Sequence, residues 1–128
     1  MKYAAIVCTL LMFTACRTKD KIVPGKGGSA AITAYPQHHL VAKNIINGKL
    51  YIRYNTLDAP ADSTYSDSVS CINHDSLLSG TFTGLQNGNY YLYATGYDTS
   101  INQRVKGGIP YTITSQTAQN VNLPVSED

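Results

Sequence analysis

From Ala30 onward the hydrophobic positions recur at every second residue, the spacing of a pleated strand with one face turned to a core. The clearest stretch is residues 80–98. It holds two alternating runs, residues 81–85 and 89–94, joined by Gln86-Asn87-Gly88. An Asn-Gly pair between such runs signals a hairpin turn, because glycine takes positive φ without a Cβ clash. In the second run Tyr90, Leu92 and Ala94 share one face, and Tyr91, Tyr93 and Thr95 share the other. Two largely aromatic faces suit a central strand.

The pattern on either side predicts further strands. Ala30, Ile32 and Ala34 form the inward face of a first strand, which Pro36 is expected to stop or kink. Gly48 is expected to turn the chain into a second strand with Leu50, Ile52 and Tyr54 inward. Residues 67–72 predict one strand with Val69 and Cys71 on one side. Residues 104–114 predict another with Ile109, Tyr111 and Ile113 inward and a bulge at Gly107-Gly108. Val121, Leu123 and Val125 alternate in a last strand. No stretch combines helical periodicity with caps. About seven strands in one domain predict an all-β, antiparallel sandwich with Phe82, Leu85, Tyr90, Leu92, Ile52 and Ile113 in its core.

The first residues follow other rules. Lys2 precedes an uncharged apolar run over residues 4–13, which fits a signal peptide and is too short to span a bilayer as a helix. Phe13-Thr14-Ala15-Cys16 reads as a lipobox, so residues 1–15 are expected to be removed and Cys16 to be lipidated. That leaves 113 of 128 residues, enough for one core. Residues 16–28 form a tether with Arg17, Lys19, Lys21 and Lys26 against Asp20, and with Pro24, Gly25, Gly27 and Gly28 as breakers. Residues 29–128 are the folded domain.

Charge sharpens this division. The tether carries +3, while the domain has five basic residues against seven acids, so the overall +2 hides an asymmetry. A basic tether beside a lipid anchor favours anionic head groups. The domain has no basic footprint for nucleic acid. The expected location is the bacterial outer membrane, lipid-anchored, on its periplasmic or surface side.

Gly80, Phe82, Gly84, Leu85, Gly88, Tyr90, Leu92 and Ala94 together resemble the closing half of a carboxypeptidase-regulatory-type domain. That resemblance implies a prealbumin-like (transthyretin-like) β-sandwich of seven or eight strands. It is specific for fold and poor for function. The chain also resembles small Bacteroidota-type lipoproteins through residues 36–39, 51–55 and 106–113. Two enzyme families on similar folds lack their motifs here. Hydroxyisourate hydrolases carry a Tyr-Arg-Gly-Ser-type tail, where this sequence reads Leu-Pro-Val-Ser-Glu-Asp. Intradiol dioxygenases hold iron with two Tyr and two His, and their His ligands are not adjacent as His38 and His39 are.

The remaining chemistry is sparse, and nothing in the sequence demands a cofactor. No phosphate loop or serine-nucleophile elbow is present. His38 and His39 are weak metal candidates, since adjacent residues of an extended chain point to opposite sides. The bland expectation is one imidazole packed at a strand corner and the other in solvent. Asp58, Asp62, Asp67 and Asp75 lie in loops but match no EF-hand spacing. Cys71 has no partner once Cys8 and Cys16 are accounted for, and is expected to be a buried, inert thiol. Tyr51, Arg53, Tyr91 and Tyr93 are expected to share the outer face, where they suit a protein or glycan partner or simply stabilise the sheet as a ladder. The expected function is therefore a non-catalytic binding or structural module, with a metal-dependent or hydrolytic site at His38/His39 and loop carboxylates as the alternative.

Overall fold

The computed structural model describes residues 21–41 and 44–128. The expected signal peptide, the expected lipidation site Cys16 and the first part of the expected tether lie outside the described residues.

Eight strands account for most of the described chain: β1 (Lys26–His38), β2 (Ile45–Tyr54), β3 (Asp67–Ser70), β4 (Ile72–His74), β5 (Leu77–Leu85), β6 (Gly88–Asp98), β7 (Gln103–Ile113) and β8 (Ala118–Glu127). Their order is β3-β2-β6-β7-β8-β1-β5-β4. All neighbours are antiparallel except β1 and β8, which run parallel. The β7–β8 ladder has only two pairs, Val105↔Glu127 and Lys106↔Ser126, so the order turns a corner there. It then curls until its outer parts nearly meet. A Cβ placed on Gly80 of β5 would lie 2.7 Å from Leu50 on β2 and 3.1 Å from Val69 on β3. The sheet is nearly closed around one core.

That core follows the alternation. Ala30, Ile32, Leu50, Ile52, Phe82, Leu85, Tyr90, Leu92, Ala94, Ile113 and Leu123 are all buried; each follows the parity of its strand except Leu85, whose phase changes after Gly84 at φ 67°. Burying a Leu or Phe side chain is worth about 1.5–3 kcal/mol, so this inner layer dominates the stability of the fold.

Several local expectations are corrected. Among the described residues there are eight strands where about seven were expected, because the 67–72 run divides at Cys71. β3 pairs with β2 and β4 pairs with β5, so the chain changes neighbours at that residue. Gln86-Asn87-Gly88 makes a turn but not a hairpin. β5 lies between β1 and β4, and β6 lies between β2 and β7, so the two runs never pair. The turn is held instead by the chain before β1: Gln86 donates its N–H to Gly25 O at 2.8 Å, and Pro24 sits against Gly88. Gly48 is no turn either; it lies inside β2, at the register shift between Ile46 and Lys49.

Gly107 and Gly108 form no bulge with β6, since the β6–β7 register runs unbroken past both. Their small size serves close approach. A Cβ on Gly107 would fall 2.2 Å from Pro124 O, and one on Gly108 would meet the Tyr91 ring.

Pro36 does not end β1, which continues in register with β8 to His38. The β1–β5 ladder stops at Ala34↔Gly80, so Pro36 lies where one side of the strand is already an edge. Pro110 and Pro124 follow the same rule. β7 and β8 pair only at Val105–Lys106 and Ser126–Glu127, leaving each proline on a stretch with one free side. A residue without an N–H is tolerated at such positions.

Candidate functional site

Two places gather chemistry-bearing side chains. The first is the outer face of β2 and β6. Their register sets Tyr51 opposite Tyr93 and Arg53 opposite Tyr91, as the sequence alternation implies. The Tyr51 and Tyr93 ring centroids are 5.9 Å apart. Tyr65, from the loop of residues 55–66, completes the group. It stacks on Tyr93 at 5.5 Å with ring planes 14° apart, and lies 5.3 Å from Tyr51. Burial raises the phenol pKa of both Tyr65 and Tyr93. Lys49 Nζ lies 5.3 Å from the Tyr51 ring centroid, within cation–π range.

This aromatic group separates two hollows. One, of about 560 Å³, runs from Tyr51 and Tyr93 over Thr95 to Arg104, Lys106 and Asp128. The other, of about 410 Å³, lies between Tyr65, Tyr91 and the Ala59-Pro60 turn. Arg53 is not a free contact residue. Its Nη1 donates to Thr64 O and Thr64 Oγ1, both at 3.2 Å, and so holds the loop that carries Tyr65. Sequence alternation located Tyr51, Arg53, Tyr91 and Tyr93; it gave no sign of Tyr65, which sits in an unpatterned loop.

The second place is one end of the core. The inward stripe of β1 (Ala30, Ile32, Ala34, Pro36) ends in His38, and that of β6 (Tyr90, Leu92, Ala94) reaches Asp98 by the same parity. The β8 stripe (Leu123, Val125) ends in Glu127. His38 and Asp98 are 5% and 4% exposed, a buried polar pair where the stripes converge. Their contact is short, with His38 Nδ1 to Asp98 Oδ2 at 2.7 Å. Asp98 Oδ1 accepts from Ser100 N–H at 2.8 Å and from Ser100 Oγ at 2.5 Å.

Glu127 Oε2 stands 3.3 Å from His38 Nε2. It is out of alignment for a hydrogen bond, so Nε2 is buried without a hydrogen-bond partner among the described residues. The Asp98 hydrogen bond raises the His38 pKa above its ordinary value against the opposing effect of burial, and the nearby Glu127 charge adds to it. Asp98 is held down to about 2, first by the Ser100 hydroxyl and then by His38. A hydrogen bond from its own backbone and the contact with His38 lower Glu127.

His38 is buried and His39 is exposed, yet the two rings do not diverge. Their centroids are 4.1 Å apart. β1 ends at His38, and a two-residue turn follows in which His38 and Val41 exchange both backbone hydrogen bonds at 3.0 Å. His39 and Leu40 take φ of 49° and 64° there. Positive φ at both turn residues swings the His39 ring back beside His38, where an extended chain would have sent it away. His39 Nε2 thus comes within 3.8 Å of Glu127 Oε1. One ligand atom each from His38, His39 and Glu127 lies within 4.8 Å of the others, a set that could hold a metal ion.

The loop carboxylates do not join it. Asp62 accepts from Thr64, Asp67 lies 3.8 Å from Lys26 Nζ, and Asp75 stands in solvent beside His74. Cys71 is free and half-buried, and burial pushes its thiol up to about 11. A thiol held protonated in this way is a poor nucleophile at neutral pH. In comparison with known proteins, no family model, no curated protein and no solved structure matches the chain.

Proposed function

We propose that this chain is a lipid-anchored module of the bacterial outer membrane, whose prealbumin-like β-sandwich binds a protein or glycan through its aromatic face without catalysing a reaction. The observation that carries the binding reading is the Tyr51–Tyr65–Tyr93 group with a hollow on each side. A ladder alone would account for Tyr51 and Tyr93, which are directly opposite across β2 and β6. It does not account for Tyr65, which a loop held by Arg53 brings onto the same rings. Rigid aromatic surfaces bury area at little cost in side-chain entropy, which suits partner recognition.

The two-pair β7–β8 ladder and the approach of Leu50 to Gly80 support reading the strand order as two sheets folded over each other. The lipobox at Phe13-Thr14-Ala15-Cys16 and the +3 tether support the anchor. A glycan array and a pull-down of envelope fractions test the binding. A ligand held by the wild type and lost by both Tyr65→Ala and Tyr93→Ala, with the strand spectrum intact, supports the proposal. Binding unchanged in both variants removes it and leaves the face structural. Labelling with an alkyne fatty acid tests the anchor: the tag is expected on the wild type and lost in Cys16→Ala. Protease treatment of whole cells then decides between the surface and periplasmic sides.

A further inference from the structure

The geometry points to a divalent transition-metal site at the end of the core, with His38 Nε2, His39 and Glu127 as ligands and Asp98 as the residue that orients His38. This site is independent of the aromatic face.

Four observations converge on it. First, Asp98 is a carboxylate that only accepts, so His38 Nδ1 carries the proton in the 2.7 Å contact. In the neutral ring the lone pair is then on Nε2, the atom that faces Glu127 and His39. Metal-bound histidines characteristically donate their other ring N–H to a carboxylate in this way. Asp98 is itself fixed by two hydrogen bonds from Ser100.

Second, His38 Nε2 is buried and has no hydrogen-bond partner among the described residues. A buried polar atom without a hydrogen bond is costly; the Glu127 carboxylate at 3.3 Å offsets that cost when His38 is protonated, and a bound cation would do so when it is neutral. Third, one of the ligand pairs already stands at coordination spacing. Two ligands of one tetrahedral zinc ion, each bonded at about 2.0–2.1 Å, stand roughly 3.3–3.4 Å apart. The His38 Nε2 to Glu127 Oε2 separation is 3.3 Å. Fourth, the turn that brings His39 into place has two non-glycine residues at positive φ, His39 and Leu40. Leucine at φ 64° is strained, and such strain concentrates where geometry serves a site.

Two imidazoles and one carboxylate favour zinc and its first-row neighbours over calcium or magnesium, which prefer all-oxygen shells. His39 and Glu127 have side chains 78% and 43% exposed, so solvent reaches the site from their side. Three protein ligands with a position open to solvent resemble the sets of non-structural zinc sites.

The test uses the full chain, purified without a polyhistidine tag and titrated with Zn²⁺ and Co²⁺, with Ca²⁺ as a control. One Zn²⁺ or Co²⁺ per chain is expected, with visible Co²⁺ absorption bands of nitrogen–oxygen coordination. Ca²⁺ is expected not to compete. Because His38 and Asp98 are buried, the decisive variants are the two exposed ligands, His39→Ala and Glu127→Gln. Each should weaken Zn²⁺ binding by at least about tenfold while leaving the circular dichroism spectrum unchanged; Asp98→Asn should weaken it by about 10–100-fold. Absence of stoichiometric binding, or equal binding by the wild type and both exposed-ligand variants, would overturn the proposal and leave His38 as an ion-pair residue only.

Discussion

The hydroxyl of Tyr90 accepts a hydrogen bond from the backbone N–H of Gly25 at 2.8 Å, across a sequence separation of 65 residues. The same hydroxyl donates to Gln86 O at 2.7 Å. One phenol in the middle of the core thus pins both the entry to β1 and the turn between β5 and β6. Gly25 itself is buried, so its N–H has no ready access to water.

Tyr90→Phe should therefore destabilise the fold by about 1–3 kcal/mol, the cost of leaving a buried donor unpaired. Urea unfolding measures it. Hydrogen exchange adds a local readout, with the Gly25 and Gln86 amides expected to lose protection before the rest of the sheet. A loss confined to global stability, with those amides unchanged, would show that the hydroxyl acts only through packing.

The inward register can be tested with Leu92→Ala, which should cost roughly 2–5 kcal/mol. Thr117→Ala on the exposed turn before β8 should stay within about 0.5 kcal/mol. Gly107→Ala gives a sharper check of the β7–β8 corner. Its methyl would fall 2.2 Å from Pro124 O, a backbone atom that cannot rotate away. A cost of about 1–3 kcal/mol is expected, as for other overpacked sites. A bulge glycine facing open space would tolerate the change better.

The alternation of apolar residues found most of the core: Ile52, Phe82, Tyr90, Leu92 and Ile113 are buried, while Tyr54, Val69, Cys71, Ile109 and Tyr111, also expected inward, are partly buried against it. Strand partners were another matter. Asn87-Gly88 marks a turn by its local chemistry, but whether β5 and β6 then pair depends on which strands already occupy their edges. Pro36 misled for the same reason, because it ends a strand only if both sides need its N–H. At the His cluster, the parity that buries Ile32 and Ala34 also buries His38 and Asp98, and it puts Glu127 on the same side at the exposed rim. Extending the β1 and β8 stripes by one step, and the β6 stripe by two through Gly96, would have flagged all three. The return of His39 toward His38 was not legible, since Leu40 disfavours the positive φ that the turn needs at both residues.

Cys71 supplies a pH dependence whose sign is fixed by burial. Its thiol is pushed up to about 11, above the usual cysteine value near 8.5. Deprotonation is therefore easier in the unfolded chain. The resulting stabilisation is fully present below about pH 8.5 and is lost as pH rises through the folded value near 11. Alkylation by iodoacetamide gives the direct measurement. The native thiol should react slowly at pH 8 and continue to accelerate toward pH 11, whereas the urea-unfolded chain should level off above about pH 8.5–9. A native thiol that reacts at the unfolded rate at pH 8 would contradict the burial assigned to it.

Arg53 was expected on the binding face as a contact residue; its hydrogen bonds give it a different task. Both its contacts go to Thr64, one residue before Tyr65, and Asp62 reinforces that position by accepting from the Thr64 N–H and hydroxyl. These groups are exposed, so their net worth to global stability is small. Arg53→Ala should lower the unfolding free energy by less than about 1 kcal/mol. It should nevertheless free the loop of residues 55–66 and with it the Tyr65 ring stacked on Tyr93. Limited proteolysis is expected to cut the variant within this loop well before the wild type does. Arg53→Lys should rescue little, because a single ammonium does not reproduce the planar donor group that spans Thr64 O and Oγ1. If the aromatic face binds a ligand, Arg53→Ala should weaken that binding about as much as Tyr65→Ala does, since both remove the same ring from the same place. Equal proteolysis of wild type and variant, with binding intact, would show that Tyr65 is held by its stacking on Tyr93 alone.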